Sequence, residues 1–336
     1  MSEKIVVTGG AGFIGSNLIR RLNQMGEDRI LVVDSLGTGP KWKNLNGLSF
    51  LDYRQKNDFI ETVRAEGLPA GLEALIHLGA CSSTTEQDLE YLIKNNYEYS
   101  KILAEACRAR GIRFIYASSA ATYGNGAQGY RDNEAELDDL RPLNGYGFSK
   151  HIFDLWARRQ GILERAVGLK YFNVFGPQED HKGSMRSLVA KGFEQVRRTG
   201  RLRLFASDRP DYADGDQERD FLYVKDAVEM TIFFLPGLPG ERAVGIHNAG
   251  SGQASTWNSL AAALFSALGR QPEIEYIPLP QELRGKYQYH TLAEMEKLRK
   301  AGYDRPPTPL AEAVSDYVKN HLLEKAAAEA PGGEEK

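Results

Sequence analysis

The sequence predicts an α/β protein in which a doubly wound parallel sheet is joined to a smaller mixed α/β lobe. A short apolar run at the N-terminus ends in closely spaced glycines, which is typical of a strand that turns into a helix. Short β-branched runs and amphipathic stretches then alternate through the first half of the chain, as in repeated β-α-β units. Beyond about residue 174 this alternation weakens, and proline, glycine and charged residues become more frequent. The length of 336 residues therefore suits two lobes better than one small core.

The glycine turn follows a buried strand predicted over residues 5–7 and precedes a helix predicted over 13–23. Gly9 lets the chain turn tightly, Gly12 leaves room for a pyrophosphate beside the backbone, and Gly15 lets the helix pack closely on the strand. The N-terminus of that helix offers free N–H groups and a partial positive charge to phosphates. This context predicts a dinucleotide site of the Rossmann type.

A second strand, predicted over 29–33, leads into Asp34 at the spacing that this fold uses for the adenosine ribose. Asp34 alone indicates NAD, because a carboxylate binds the 2′-hydroxyl of the ribose. Lys41 and Lys43 follow in a polar loop. They are either solvated lysines or contacts to a 2′-phosphate, so the residues by themselves leave NAD and NADP open.

The remaining elements complete the predicted organisation. Further strands are predicted over 49–52, 73–78, 113–118 and 201–205, and helices over 57–66, 85–110, 146–160, 184–198, 256–268, 291–300 and 310–322. We assign 1–173 to a dinucleotide-binding domain, to which 224–250 return, and 174–223 with 251–325 to a substrate-binding lobe. Residues 326–336, rich in alanine, glycine and glutamate, are expected to be disordered.

Composition narrows the class of protein. Forty-two basic and 45 acidic residues give a net charge of -3, which disfavours a nucleic-acid partner. Two cysteines without metal-ligand spacing indicate a reducing compartment and no metal site. The N-terminus leads directly into a predicted core strand, and no apolar run approaches the roughly twenty residues of a membrane span. We therefore expect a cytoplasmic protein with no signal peptide and no membrane partner.

A serine, a tyrosine and a lysine form the candidate catalytic set. Ser119 ends a predicted strand, and Tyr146 and Lys150 are four residues apart near the start of a helix, so they share one face. The ordinary pKa of a phenol is near ~10, but a neighbouring ammonium and an oxidised nicotinamide favour phenolate. Together with a hydrogen bond from Ser119, this set can remove a proton from an alcohol while hydride leaves the carbon.

These residues resemble the pattern of the extended short-chain dehydrogenase/reductase family over nearly the whole chain. The finer resemblance is to its ADP-heptose 6-epimerase branch, and four segments carry it: 79–86 (GACSSTTE), 116–124 (YASSAATYG), 171–177 (YFNVFGP) and 181–185 (HKGSM). The resemblance implies a Rossmann fold, bound NADP with NAD as the alternative, and an ADP-heptose substrate whose C6 is inverted for lipopolysaccharide core heptose. It also implies a homo-oligomer, a pentamer in that branch.

The resemblance further implies binding residues. Cofactor contacts are implied for Gly9, Gly12, Phe13, Ile14, Gly15, Asp34, Ser35, Lys41, Lys56, Leu78, Gly79, Ala80, Cys81, Ser82, Asn95, Tyr146, Lys150, Val174 and Lys182. Substrate contacts are implied for Asn173, Ser184, Lys191, Phe205, Ala206, Ser207, Asp208, Arg219 and Tyr287. For Arg219 the contact is with the diphosphate, which a guanidinium binds in bidentate fashion, and the alternative is a surface ion pair with Asp220 or Asp226. For Tyr287 the alternative is an ordinary packed aromatic ring.

Lys182 is the second acid/base residue of the branch. An alcohol carbon with no adjacent carbonyl has no acidic C–H, so inversion through transient oxidation avoids an implausible deprotonation. After hydride returns to the other face, the hydroxyl points elsewhere and needs another proton donor. Tyr146 would serve one epimer and Lys182 the other. The alternative for Lys182 is a cation that contacts the diphosphate.

The sequence departs from the 6-epimerase branch at two places, and three other functions compete with a heptose epimerase. The loop 206–218 is longer and more acidic than in the branch, and Lys191 replaces an expected histidine. A 4,6-dehydratase is disfavoured because no Asp-Glu pair follows Ser119. A UDP-hexose 4-epimerase is the main alternative, and a non-catalytic nicotinamide sensor is the second.

We expect His77 to be a core residue and His181 to shape the pocket.

Overall fold

The computed structural model describes residues 2–281 and 287–328. Its centre is a seven-stranded sheet with the order β10-β6-β5-β4-β1-β2-β3, and every pairing in it is parallel. The strands are β1 (Ile5–Thr8), β2 (Ile30–Asp34), β3 (Asp52–Gln55), β4 (Ala74–His77), β5 (Arg113–Ser119), β6 (Val167–Tyr171), β7 (Asn173–Phe175), β8 (Leu202–Phe205), β9 (Glu218–Tyr223), β10 (Gly245–Ala249), β11 (Ala254–Thr256) and β12 (Ile274–Ile277). The predicted doubly wound α/β fold is confirmed.

The helices are α1 (Phe13–Gln24), α2 (Lys56–Glu66), α3 (Leu89–Leu92), α4 (Tyr99–Arg110), α5 (Gly145–Arg159), α6 (Leu188–Thr199), α7 (Val224–Phe233), α8 (Trp257–Ala267), α9 (Glu296–Lys300), α10 (Leu310–Tyr317) and α11 (Leu323–Ala328). Strands β1, β2, β4, β6 and β10 are buried at every position, because helices cover both faces of the sheet. None of the described helices combines the length and apolar character that crossing a membrane needs.

The second part of the structure contains two small sheets. In one, β9 pairs with β7 in parallel and with β11 in antiparallel orientation, and in the other β8 pairs with β12. Helices α6, α8 and α10 pack beside them around a separate apolar core. The chain crosses back in between, since α7 contacts α1 and β10 pairs with β6. The lobe boundaries given above remain a prediction.

Several element ends differ from the prediction for local reasons. The edge strand is Asp52–Gln55 and not 49–52, and both Leu51 and Asp52 are exposed at its start. The helix predicted over 85–110 begins only after the Asp88 side chain caps Tyr91, and it contains a π-helical segment at Ile93–Glu98. The helix predicted from 184 begins at 188, where Ser187 provides the cap.

Two further predictions near the C-terminus also differ. Of the helix predicted over 291–300, only Glu296–Lys300 is helical, because Thr291 is buried and its hydroxyl accepts the Asp220 amide instead. The predicted disordered tail begins too early, since Leu323–Ala328 is helical. Residues 329–336 lie outside the described part of the chain.

Candidate active site

A cavity of about 990 Å³ lies between the carboxyl edge of the large sheet and the second lobe. The glycine turn and the ends of β2, β4 and β5 form one side of it, and residues of α6, β8 and α8 form the other. Every residue implied above for cofactor contact lines this cavity, as do Ser119 and Lys182. In open α/β sheets, ligands bind at this edge.

The glycine turn has the geometry that a bound pyrophosphate requires. Gly9 adopts a φ of +71°, and a Cβ there would lie 2.6 Å from the Gly79 amide nitrogen. A Cβ on Gly15 would lie 2.2 Å from the Gly9 carbonyl oxygen. Gly12 caps α1 without a side chain, so the first-turn N–H groups of the helix remain for a ligand. These residues therefore fit a dinucleotide.

Asp34 marks the ribose end of the cavity. Its carboxylate accepts the amides of Ala11 at 2.8 Å and Ser35 at 2.6 Å, and it is paired with the Lys41 ammonium. Lys41 also donates to the Ser35 carbonyl at 3.3 Å, whereas Lys43 is exposed. A carboxylate and an ammonium thus stand side by side where the two cofactors differ.

Lys56 stands farther along the same wall. Its ammonium donates to the Asn95 side-chain oxygen at 2.5 Å, and the Tyr99 hydroxyl donates to its carbonyl at 3.0 Å. Burial lowers the pKa of Lys56, and the nearby Lys41 charge lowers it further. Asn95 lies in the π-helical segment, so the irregular turn places this amide at the cavity.

The predicted catalytic set meets at the end of β5. The Asn144 side chain accepts the Gly147 amide at 2.8 Å and so begins α5, whose first two turns carry Tyr146 and Lys150. Lys150 is 3% exposed and donates to the Ala117 carbonyl at 2.8 Å. Burial lowers the pKa of Lys150 to about 8, and the Asp154 carboxylate opposes that shift. Lys150 is therefore an ammonium at neutral pH.

The Tyr146 phenol lies beside the Ser119 hydroxyl. Burial raises the pKa of Tyr146, while its hydrogen bond with Ser119 lowers it. The Ser119 oxygen is itself held by the Ala121 amide at 3.1 Å. The protein groups alone thus keep a phenol at neutral pH. The phenolate predicted above also requires the positive charge of an oxidised nicotinamide.

Lys182 faces the cavity from the short helical turn Asp180–Met185, and its ammonium lies 5.2 Å from the centre of the Phe13 ring. It has no ion pair within residues 2–281 and 287–328. Burial lowers the pKa of Lys182, and the Glu179 carboxylate opposes this. Glu179 is itself engaged by the Ser187 amide and hydroxyl at 2.5 and 2.6 Å. Lys182 can therefore release a proton more readily than an exposed lysine.

The buried Asn44 connects the Lys182 turn to the glycine turn. Its side-chain amide lies 3.0 Å from the Ala11 carbonyl, 3.2 Å from the Gln178 carbonyl and 3.1 Å from Nδ1 of His181. Burial lowers the pKa of His181 to about 4, so the ring is neutral and can accept this bond. His77 is a buried core residue, as expected, between the hydroxyls of Thr8 and Ser100.

The structure brings only some of the implied substrate residues to the cavity. Asn173, Lys191, Phe205 and Tyr287 line it. Ser184, Ala206, Ser207, Asp208 and Arg219 do not, because the serine at 184 is exposed and 206–208 form the start of a loop outside the wall. Within that loop, the Asp208 amide donates to the Tyr289 hydroxyl at 3.0 Å.

Arg219 lies directly behind the cavity wall. It is 5% exposed, and its guanidinium lies 4.9 Å from the Tyr287 ring and 5.7 Å from the Trp257 ring. The alternative of a surface ion pair is wrong, since Arg219 is buried and forms no ion pair with Asp220 or Asp226 among the described residues. Burial lowers the pKa of Arg219. A buried cation without a described carboxylate partner favours an anionic ligand.

Comparison with known proteins places this geometry in a family. The model of the NAD dependent epimerase/dehydratase family matches residues 5–248. The chain belongs to the NAD dependent epimerase/dehydratase family. An ADP-L-glycero-D-manno-heptose-6-epimerase of Nitratidesulfovibrio vulgaris strain DP4 is 50% identical over 317 residues, which are 94% of this chain and 97% of the relative. The predicted resemblance to the heptose 6-epimerases, and with it the class of isomerase, is confirmed.

Two solved structures of epimerases extend the comparison. The ADP-L-glycero-D-manno-heptose-6-epimerase of Helicobacter pylori is 27% identical, with a TM-score of 0.75 and coverage of 95% of this chain and 96% of that one. The UDP-glucose 4-epimerase of Thermus thermophilus, in complex with NAD, is 28% identical, with a TM-score of 0.73 and coverage of 95% and 99%. The fold is thus shared by epimerases of different sugar nucleotides.

Sequence reasoning missed part of the epimerase cavity. Phe221, Trp257 and Leu260 line it from the second lobe. Trp257 and Leu260 belong to no motif, and Phe221 was noted only as part of the segment that carries Arg219, so nothing in the sequence distinguished these three from core residues. Asp154 was missed as well, although its position four residues after Lys150 places it on the catalytic face of α5.

Proposed function

We propose that this enzyme inverts C6 of ADP-glycero-manno-heptose, from the D-glycero to the L-glycero form, by transient oxidation and reduction with a bound NADP. The observation that carries the proposal is the presence of two separate proton-handling groups, Tyr146 and Lys182, on the wall of one cavity with the glycine turn. The heptose substrate is supported by the relatives, and the pathway is lipopolysaccharide core heptose synthesis in the cytoplasm.

The residues that would hold the cofactor are those already described. Gly9, Gly12 and Gly15 would make room for the pyrophosphate, and Asp34 and Lys41 would face the adenosine ribose. When bound, the nicotinamide would supply a reversible hydride acceptor for the transient oxidation. The fixed positive charge of Lys150 and the hydrogen bond from Ser119 favour loss of the Tyr146 proton at that stage.

The residues of the chain move the protons. Tyr146 accepts the proton of one epimer's hydroxyl, and Ser119 fixes the oxygen by a hydrogen bond. The inverted hydroxyl points to another part of the cavity, where the Lys182 ammonium donates the proton. Burial favours this donation because it lowers the pKa of Lys182. The buried Arg219 guanidinium, with its aromatic neighbours Tyr287 and Trp257, supports binding of the diphosphate.

The proposal is tested by incubating the protein with ADP-D-glycero-manno-heptose in deuterated water and following C6 by NMR. We expect the L-glycero epimer to form without deuterium at C6, because the migrating hydrogen never exchanges with solvent. UDP-glucose is tested in a parallel assay as the substrate of the competing 4-epimerase function. Inversion of the UDP-hexose alone would favour a 4-epimerase, and deuterium at C6 would contradict transient oxidation.

Cofactor preference gives a second prediction. Lys41→Ala removes the ammonium that neutralises Asp34, so the carboxylate would face a 2′-phosphate without a counter-charge. We expect the Kd for NADP to rise about tenfold or more and the Kd for NAD to change little, as a charged hydrogen bond is lost. Titration of the apoprotein with each cofactor measures this. Lys43→Ala removes an exposed lysine two residues away and is the control. Equal weakening of both cofactors would show that Lys41 does not read the phosphate.

A further inference from the structure

A buried carboxylate stands behind the catalytic residues. Asp154 follows Tyr146 and Lys150 at intervals of four on α5, so the three side chains share one face of the helix. Asp154 is fully buried. It accepts the hydroxyl of Ser118 at 2.7 Å and that of Tyr116 at 2.9 Å, both from β5. The carboxylate therefore joins the catalytic helix to the strand that ends in Ser119.

Lys170 is the counter-ion of this carboxylate. Its ammonium lies 3.5 Å from Asp154 Oδ2, and both side chains have no exposed surface. Lys170 pairs in register with Ser118 across β5 and β6. It also donates to the Thr122 hydroxyl at 2.6 Å, which in turn donates to the Ser119 carbonyl at 2.8 Å. The ion pair thus fixes the chain on both sides of Ser119.

Such a pair is costly for stability alone. Burying two charges removes their hydration, and apolar residues of similar volume often serve a fold as well or better. In this site the negative charge of Asp154 can act on Lys150, because Lys150 lies one helical turn away and is buried too. Facing Lys150 from the other elements are Cys81, after β4, and His77, whose pKa burial lowers to about 3 so that it is neutral.

We propose that Asp154, with Lys170 as its counter-ion, is a positioning residue for the reaction. Through its hydrogen bond with Ser118, its carboxylate holds the end of β5, and with it Ser119, beside Tyr146, and it supplies the negative charge that offsets the buried Lys150 ammonium. The inference rests on the proposed function. It assigns Asp154 no contact with substrate or cofactor, because Asp154 does not line the cavity.

The test uses Asp154→Asn in the full-length protein loaded with cofactor. Asparagine keeps the size and one acceptor but removes the charge, so Lys150 should lose its proton at a lower pH. We expect kcat to fall about tenfold or more with KM within about twofold, and the alkaline limb of the pH–rate profile to move to lower pH. The Lys150 titration is read directly by NMR of labelled lysines, assigned by its loss in Lys150→Met.

A charge-free pair, Asp154→Leu with Lys170→Met, keeps the proposal testable if the single variant does not fold. If the pair is only structural, the double variant should recover the wild-type kcat and Lys150 titration. The proposal expects both to stay shifted in a folded double variant. A folded Asp154→Asn with unchanged kcat and unchanged titration would overturn it. Absence of epimerisation in the wild type would instead refute the proposed function, while the Lys150 titration could still be read.

Discussion

Tyr146→Phe should reduce epimerisation by roughly 10²–10⁴-fold, the range that general acid–base catalysis contributes. The change removes one oxygen, so it takes away the proton acceptor that the Ser119 hydroxyl contacts while leaving the ring to fill the same space. We expect the loss in kcat, with the cofactor still bound. Conversion of ADP-heptose followed by NMR gives kcat and KM, and absorbance of the purified protein reports the bound nicotinamide.

The control for this prediction is Tyr97→Phe, which removes the same atom from a tyrosine outside the cavity wall. That variant should retain the wild-type rate. Undiminished turnover in Tyr146→Phe would remove Tyr146 from its assigned role. A loss of bound cofactor in the same variant would show that the phenol anchors the dinucleotide.

Lys182→Met should block interconversion of the two epimers by a similar roughly 10²–10⁴-fold factor. If Lys182 donates the proton to the second epimer, kcat falls and KM changes little. If it is instead a cation that holds the diphosphate, KM rises and kcat is preserved. NMR assays at several substrate concentrations separate the two outcomes. Lys43→Met is the control, since it removes the charge of an exposed lysine.

Lys182→Arg sharpens the distinction. Arginine keeps a positive charge for a phosphate, but its guanidinium does not release a proton at neutral pH. We therefore expect Lys182→Arg to stay inactive and to bind substrate. Recovery of activity with arginine would assign Lys182 to substrate binding and leave the second proton donor unidentified.

The large sheet could be predicted from sequence because its signals are local. The glycine turn, Asp34 and the paired Tyr146 and Lys150 each combine a residue type with a spacing that one strand or one helical turn imposes. The side of the cavity at the edge of the large sheet could be predicted from the same signals, because parallel strands bring their carboxyl ends to one edge. The finer assignment of the substrate came from resemblance, which compares whole segments.

The substrate side was harder because its residues meet only through tertiary packing. Arg219 could be predicted from its sequence segment, but its position behind Tyr287 and Trp257 depends on how β9 and α8 pack. Asp154 lies on α5 and Lys170 on β6, and they meet because α5 packs against β5, the strand next to β6. The start of α6 was misplaced because Ser184 and Met185 belong to the separate helical turn Asp180–Met185, and the extended residues Arg186 and Ser187 divide that turn from α6. No periodicity in the sequence reports such contacts.

The side-chain amide of Asn44 joins two segments of the cavity wall. It bonds both the glycine turn, at the Ala11 carbonyl, and the segment that carries Lys182, at Gln178 and His181, so a displacement of either one breaks a hydrogen bond of this buried side chain.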